Sequence, residues 1–176
     1  MLSQPIDFNK IINELFTKEN YDPSFTCDDG DEMGLNEFYH KEAFEYQDER
    51  LGITHQFRYF GRVVGFVTLA MSTIERTKIP EEDQLSLRQK VYPALLIGRL
   101  ASHNDCRRKG VGSYICRWCI GFAVEISQKV GCRYVVLETI EKRVGWYQGL
   151  GLKILERVRH KEKPDTFWMY QKIDID

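Results

Sequence analysis

No apolar run in the 176-residue chain approaches the roughly 18 consecutive residues that a membrane-spanning helix needs, so no membrane partner is expected. Met1 to Phe16 has neither the basic start nor the apolar stretch of a signal peptide, and the expected location is the cytoplasm. Cysteine is sparse, at five residues, and its odd count and spacing make no disulfide framework; free thiols in a reducing compartment are expected. Cys116 and Cys119 form a C-x-x-C, but inside a predicted helix, beside Ile115, Trp118 and Phe122. A redox pair belongs at a helix N-terminus and a zinc site needs two further ligands at suitable spacing, so the pair reads as packed thiols and no metal is expected. The phosphate-binding signatures G-x-x-x-x-G-K-[ST] and G-x-G-x-x-G are both missing, which excludes a P-loop and a dinucleotide fingerprint. There is no internal repeat, low-complexity tract or linker, so residues 1–176 are expected to form one domain with an ordinary core.

Charge is scarce in sum but not in distribution. The net charge is −1, yet residues 1–60 carry 13 acidic and 5 basic side chains, and residues 61–176 carry 13 acidic and 20 basic. The second stretch should attract anionic ligands, while the acidic excess of the first also reads as a solvated face.

Periodicity supplies the elements. Asp7 to Phe16 reads as a short helix, with Phe8, Ile11, Ile12 and Leu15 on one face and Asp7 as its N-cap. Tyr21 to Gly34 is turn-rich, and a second helix is expected from Leu35 to Asp48; together they would shape an acceptor pocket. Strands over Ile53–Phe60 and Val63–Ser72 flank a tight turn at Gly61 and Arg62, and Thr77–Gln89 reads as a connecting surface segment. There follow a strand (Ala94–Ala101), a helix (Val111–Val130), a strand (Arg133–Thr139), a helix (Glu141–Leu150) and two strands (Lys153–Arg159, Thr166–Ile173). A strand, helix, strand succession of this length makes a parallel crossover and an α/β layered fold.

The chemistry concentrates at Arg107-Arg108-Lys109-Gly110-Val111-Gly112-Ser113, an R-x-x-G-x-G between a strand and a helix start. A helix N-terminus offers unpaired N–H groups and partial positive charge, and the three cations beside it suit a phosphate group. Gly110 and Gly112 lack the β-carbons that would keep backbone N–H groups from a phosphate, and Ser113 can add a hydroxyl. The blander reading is a basic surface loop capping a helix. Farther on stands Gly145-Trp146-Tyr147-Gln148-Gly149-Leu150-Gly151-Leu152.

With these two motifs at this separation, the chain resembles the GNAT family of acetyl-CoA-dependent N-acetyltransferases over about Arg62 to Ile173. The resemblance implies a mixed, twisted β-sheet of about six or seven strands flanked by helices, with residues 1–60 on the acceptor side and 61–176 as the acetyl-CoA-binding core. It implies that Arg107, Arg108, Lys109, Gly110, Val111, Gly112 and Ser113 bind the acetyl-CoA pyrophosphate. Main-chain groups of Leu100, Ala101 and Ser102 would pair with the pantetheine arm where their strand parts from the next. Tyr147 would be the catalytic acid that protonates the leaving thiolate, a phenol with reference pKa about 10, with Trp146 in a buried aromatic position; ordinary packing is the alternative. Glu138 is a candidate base and equally a solvated strand end, so the base is unassigned.

Phe25-Thr26-Cys27-Asp28, Leu35-Asn36-Glu37-Phe38 and Gly61 to Leu69 are further similar to the GNAT subgroup of aminoacyl-tRNA-acetylating toxins. The acceptor favoured by the acidic leading half is a primary amine of a small molecule or protein. The alternatives are the amino acid on tRNA, and a non-catalytic acyl-CoA-binding module. The basic turn Arg157 to Lys163 lacks interleaved aromatics and reads as a solvated hairpin tip before a nucleic-acid contact. His40, His55, His103 and His160 have no evident partner and read as structural or solvent-facing. A homodimer is the commonest assembly among soluble oligomers, and the sequence does not fix one here.

Overall fold

In the computed structural model, which describes residues 5–174, the segment expected to begin with a helix is instead a sheet edge. Asp7 does cap a turn, its side chain accepting from the Asn9 N–H at 3.2 Å, but the turn is a single 3-10 turn, Phe8–Lys10. Strand β1, Ile11–Leu15, then pairs antiparallel with β2, Ile53–Tyr59, from Ile11↔Tyr59 to Leu15↔His55. Side chains explain the choice: Glu14 Oε1 accepts from Gln56 Nε2 at 2.7 Å and from Arg58 Nε at 2.5 Å, bonds that only the strand register permits. Ile12 and Leu15, two of the residues that suggested a helical stripe, are 65% and 54% exposed. The residue driven into the core is Phe16, at full burial. A four-residue apolar coincidence is overridden by tertiary pairing.

β2 turns into β3, Arg62–Glu75, through Phe60 and Gly61, at φ 47° and 80°. Two consecutive positive φ angles match the right-handed twist of a two-residue hairpin, and Tyr59 pairs with Arg62 across it. The turn therefore lies one residue earlier than expected.

The helix expected over Leu35–Asp48 is present in three pieces: α1, Leu35–Glu37, a π-helical turn, Phe38–Glu42, and α2, Ala43–Asp48. The π-turn, closed by Ala43 N–H on the Phe38 carbonyl, accompanies the burial of two adjacent aromatics, Phe38 and Tyr39. They join Phe16, Phe25 and Phe66 in one aromatic core cluster.

The remaining elements are β4, Val91–Ser102; α3, Val111–Ser127; β5, Tyr134–Ile140; α4, Glu141–Gln148; β6, Lys153–Val158; and β7, Thr166–Lys172. The strands form a mixed seven-stranded sheet in the order β1-β2-β3-β4-β5-β7-β6, an α/β fold with flanking helices. β4 and β5 are parallel, from Ala94↔Tyr134 to Ile97↔Leu137, as the crossover through α3 requires. The hairpin of β6 and β7 is antiparallel, and β7 also pairs antiparallel with β5.

The chain divides into two compact units: the described residues up to Ala70 with Gly98–Cys116, and Met71–Ile97 with the described residues from Arg117 onward. The core of the first is the aromatic cluster. In the second, Ile74, Ile79, Tyr92, Ala94, Tyr134, Val136 and Tyr170 pack together. The segment expected merely to connect supplies its polar anchor, Asp83. Its carboxylate accepts from Lys153 at 2.6 Å and Tyr170 at 2.7 Å, and its carbonyl accepts from Tyr134 at 2.7 Å. Lys153, then Tyr170, hold the Asp83 carboxyl below its ordinary range.

Candidate active site

The glycine loop is built in the first unit. β4 ends at Ser102, and the chain is led away from it by two main-chain bonds, His103 N–H to the Val64 carbonyl at 2.9 Å and Asn104 N–H to the Thr26 carbonyl at 2.8 Å. A 3-10 turn, Asn104–Cys106, follows, capped by His103, whose Nδ1 accepts from Asp105 N–H at 3.0 Å. Arg108 and Gly110 then take left-handed φ of 58° and 83°. This folds the loop into the start of α3, where the first helical bond runs from Tyr114 N–H to the Gly110 carbonyl at 2.9 Å. The N–H groups of Val111, Gly112 and Ser113 lie ahead of that ladder, in the positions that leave a helix's first donors for an outside acceptor.

Two contacts set where this helix start stands. A β-carbon on Gly65 of β3 would lie 2.6 Å from Ile115 Cδ1 and 2.7 Å from the Ala101 carbonyl oxygen, so only glycine lets the first turns of α3 and the end of β4 close on β3. Gly110 has Phe8 above it, 3.1 Å from where its β-carbon would be, and Phe8 stacks on Tyr114 at 5.2 Å. Gly110 is thus required twice, by its φ and by Phe8.

The loop's cations are unequal. Arg107 is committed: its Nη1 is 2.9 Å from Asp29 Oδ2, and its Nη2 donates to the Asp29 carbonyl. Around that pair, Asn104 Nδ2 donates to Asp28 Oδ1 at 2.7 Å and Thr26 Oγ1 donates to the same oxygen at 2.9 Å. Asn104 first, then Thr26, hold the Asp28 carboxyl below its usual value. Arg107 therefore fastens the acidic turn at Asp28 and Asp29 to the loop, while Arg108 is exposed, with no side-chain partner among the described residues. The side-chain partners of Arg107 and Asn104 lie 75 to 78 residues away in sequence, where no local pattern points to them. Gly65, Phe8 and Tyr114 were likewise invisible as site-builders, although a glycine inside a strand run is a recognisable sign of close approach.

Tyr147 lies in the second unit, near the C-terminal end of α4. It is buried, and its carbonyl accepts from Leu150 N–H at 3.0 Å and Leu152 N–H at 3.1 Å, with Gly151 at φ 98° closing the turn. Trp146, expected in a buried position, is 39% exposed and meets Tyr147 edge-on at 4.6 Å. Of these two adjacent aromatics, α4 buries the tyrosine, together with Val144.

Glu138 is exposed on β5 and accepts from the Thr166 hydroxyl, which commits that proton and makes His160 Nε2 the donor to Thr166 Oγ1 at 3.0 Å. His40 also has partners. Its Nε2 donates to the Phe25 carbonyl at 2.8 Å, leaving Nδ1 to accept from the Tyr21 hydroxyl at 2.7 Å. Burial first, then Arg62, lowers the His103 pKa, and burial lowers that of His55. All five cysteines are buried and none is in a disulfide, and burial raises the thiol pKa of Cys106 and of Cys132. Among the described residues, no group of three or more His, Cys, Asp or Glu could hold a metal ion, and no helix is long and apolar enough to cross a membrane.

The model of the acetyltransferase (GNAT) family matches residues 12–152, which includes both the glycine loop and Tyr147. The chain belongs to the GNAT family. A GNAT chain is expected to have relatives of like fold, and three are informative. A tRNA-acetylating toxin of Mycobacterium tuberculosis (strain ATCC 25618 / H37Rv) is 30% identical over 80 residues, 46% of this chain and 48% of the toxin, so the match spans about half of that relative. The structure of AtaT complexed with acetyl-methionyl-tRNAfMet superposes with a TM-score of 0.75 at 22% identity, covering 90% of this chain and 93% of that one. A Tyr-to-Phe variant of the AtaT toxin, bound to the C-terminus of the antitoxin AtaR and acetyl-CoA, gives 0.67 at 21% identity, covering 90% and 91%. At these identities the two structures establish the fold.

Proposed function

We propose that this GNAT protein transfers the acetyl group of acetyl-CoA to the α-amino group of an amino acid carried on tRNA. The observation that carries the acceptor is the sequence similarity to a tRNA-acetylating toxin, supported by the likeness to AtaT, whose structure holds acetyl-methionyl-tRNAfMet. A small-molecule or protein amine, the first expectation from the acidic leading half, has less support. An antitoxin partner follows from the same likeness, since an AtaT structure contains the C-terminus of AtaR.

In this reading the N–H groups of Val111, Gly112 and Ser113 bind the diphosphate of acetyl-CoA, and Arg108 adds a charge-assisted contact. Lys109 contributes to the same field. Arg107 acts one step back, holding the loop's shape through Asp29. Main-chain groups of Leu100, Ala101 and Ser102 pair with the amides of the pantetheine arm. The neutral amine attacks the acetyl carbonyl carbon, the carbon–sulfur bond breaks, the thiolate takes the Tyr147 phenolic proton, the amine nitrogen sheds its proton to water, and the phenolate is reprotonated from water. The products are an amide and the free thiol of coenzyme A, without a covalent enzyme intermediate.

A mass-spectrometric screen of amines, peptides and charged tRNA, each incubated with the protein and acetyl-CoA, tests this directly. Gain of one acetyl group by the aminoacyl moiety of charged tRNA is expected, together with growth arrest on expression. Acetylation confined to small amines or peptides would reject the tRNA acceptor.

A further inference from the structure

We infer that the turn between β6 and β7 is the surface that grips the sugar-phosphate backbone of the RNA acceptor. This rests on the aminoacyl-tRNA reading above. The charge of the turn is sorted by its own hydrogen bonds. Arg157 is committed to Asp165, through Nε at 2.8 Å and Nη2 at 2.7 Å, and lies over the Phe167 ring at 5.6 Å. Arg157 first, and the His160 N–H next, hold the Asp165 carboxyl below its ordinary range, so that acid is spent inside the turn. Arg159, Lys161 and Lys163 remain, all exposed and none in a side-chain hydrogen bond or ion pair among the described residues, although the Arg159 charge also acts on Asp165; the other neighbouring acid is Glu162. A chain with a net charge of −1 does not need this local surplus to stay dispersed.

The base of the turn is also held in place, so binding has only the cationic side chains left to order. Asp165 Oδ1 accepts from His160 N–H at 3.3 Å, His160 Nε2 donates to Thr166 Oγ1 at 3.0 Å, and Thr166 donates to Glu138 on β5. This chain of bonds gives His160 and Glu138 a use: they brace the turn.

Its position in the second unit fits an extended acceptor. Thr166, the first residue of β7, pairs with Ile140, the last residue of β5 and the N-cap of α4, the helix that carries Tyr147. The turn thus springs from the end of the sheet at which that helix begins. An acceptor whose amino group reaches Tyr147 through a long anionic body has phosphates to place beside this turn, whereas a free amine does not.

The test uses the full chain with Arg159, Lys161 and Lys163 all changed to Glu, and in parallel all to Ala, with folding checked by melting temperature. Each is assayed against charged tRNA, against an amino acid ester lacking RNA, and for acetyl-CoA binding. The Glu variant should raise KM for charged tRNA at least about tenfold, and the slope of log KM against log salt between roughly 50 and 200 mM should fall by about 2, the loss of three phosphate contacts. Acetyl-CoA affinity and turnover of the ester should not change, and Glu162→Lys should lower KM for charged tRNA. An unaltered KM and salt slope, in a wild-type enzyme that does acetylate charged tRNA, overturns the turn's role and leaves the reaction standing. A wild type that acetylates the ester but never charged tRNA rejects the acceptor, and this inference with it. Retention of an acidic peptide, lost in the Glu variant while tRNA turnover is kept, would assign the turn to a protein partner instead.

Discussion

The glycine loop before α3 and the turn between β6 and β7 look alike in sequence, since each packs three or four cations into about seven residues. The fold treats them differently. In the loop, Arg107 is drawn into Asp29, and the donors left for a ligand are backbone N–H groups with Arg108 beside them. In the turn, one acid neutralises one arginine and three cations stay in solvent, with no helix start behind them. A site made of directed main-chain donors suits a small, defined anion such as a diphosphate. One made of mobile side-chain charges suits a repetitive, delocalised one such as a nucleic-acid backbone. Counting cations does not separate the two; asking which are already paired does.

The sharpest way to break this comparison is to separate chemistry from anchoring. Tyr147→Phe should lower turnover by about 10²- to 10⁴-fold while acetyl-CoA affinity measured by calorimetry stays close to wild type. A near-normal rate would leave Tyr147 as packing, consistent with its burial, and would move the proton donor elsewhere. Within the loop, the two arginines should part company. Arg108→Ala should weaken acetyl-CoA about tenfold, as the loss of one charge-assisted contact. Arg107→Ala should weaken it less, and should instead raise KM for the acceptor by loosening the turn at Asp28 and Asp29. Equal effects of the two on the cofactor would mean that Asp29 releases Arg107 when the diphosphate arrives.

Much of this was legible in the sequence, and the part that was not has a common cause. The β2–β3 hairpin, the strand before the loop, α3 and the parallel crossover are local patterns with local causes, and the motif at Tyr147 is a short-range one. What escaped depends on distant partners. β1 read as a helix because four apolar residues kept helical spacing, while the bonds from Glu14 to Gln56 and Arg58 that make it a strand join residues more than 40 positions apart. Trp146 was expected inside because the resemblance gives its motif position a buried aromatic, but burial on an eight-residue helix is decided by the sheet beneath it. The separation of Arg107 from Arg108 could not be read from adjacent letters, since Asp29 lies 78 residues away.

The smallest predicted effect is on stability and lies in the buried histidines. Burial lowers the folded-state pKa of His55 and His103, so the unfolded chain binds protons more readily near its ordinary value of about 6.5. Their contribution is complete above that value and is lost as pH falls below it toward the folded pKa. The melting temperature should therefore drop by a few degrees between about pH 7 and pH 5, and replacing both histidines with Gln should flatten that slope. The carboxyls held low, such as Asp83, act in a separate window: their contribution is present above the ordinary aspartate value and fades as pH falls through the folded one.

The most direct test of the whole account is a calorimetric titration of acetyl-CoA into wild-type protein and into Arg108→Ala combined with Gly110→Val. The second change forces a β-carbon toward Phe8 at a φ that valine resists. A folded double variant that has lost at least about a hundredfold in affinity is the predicted result. A double variant that binds acetyl-CoA as tightly as wild type would contradict it, because the cofactor would then be held somewhere other than the start of α3.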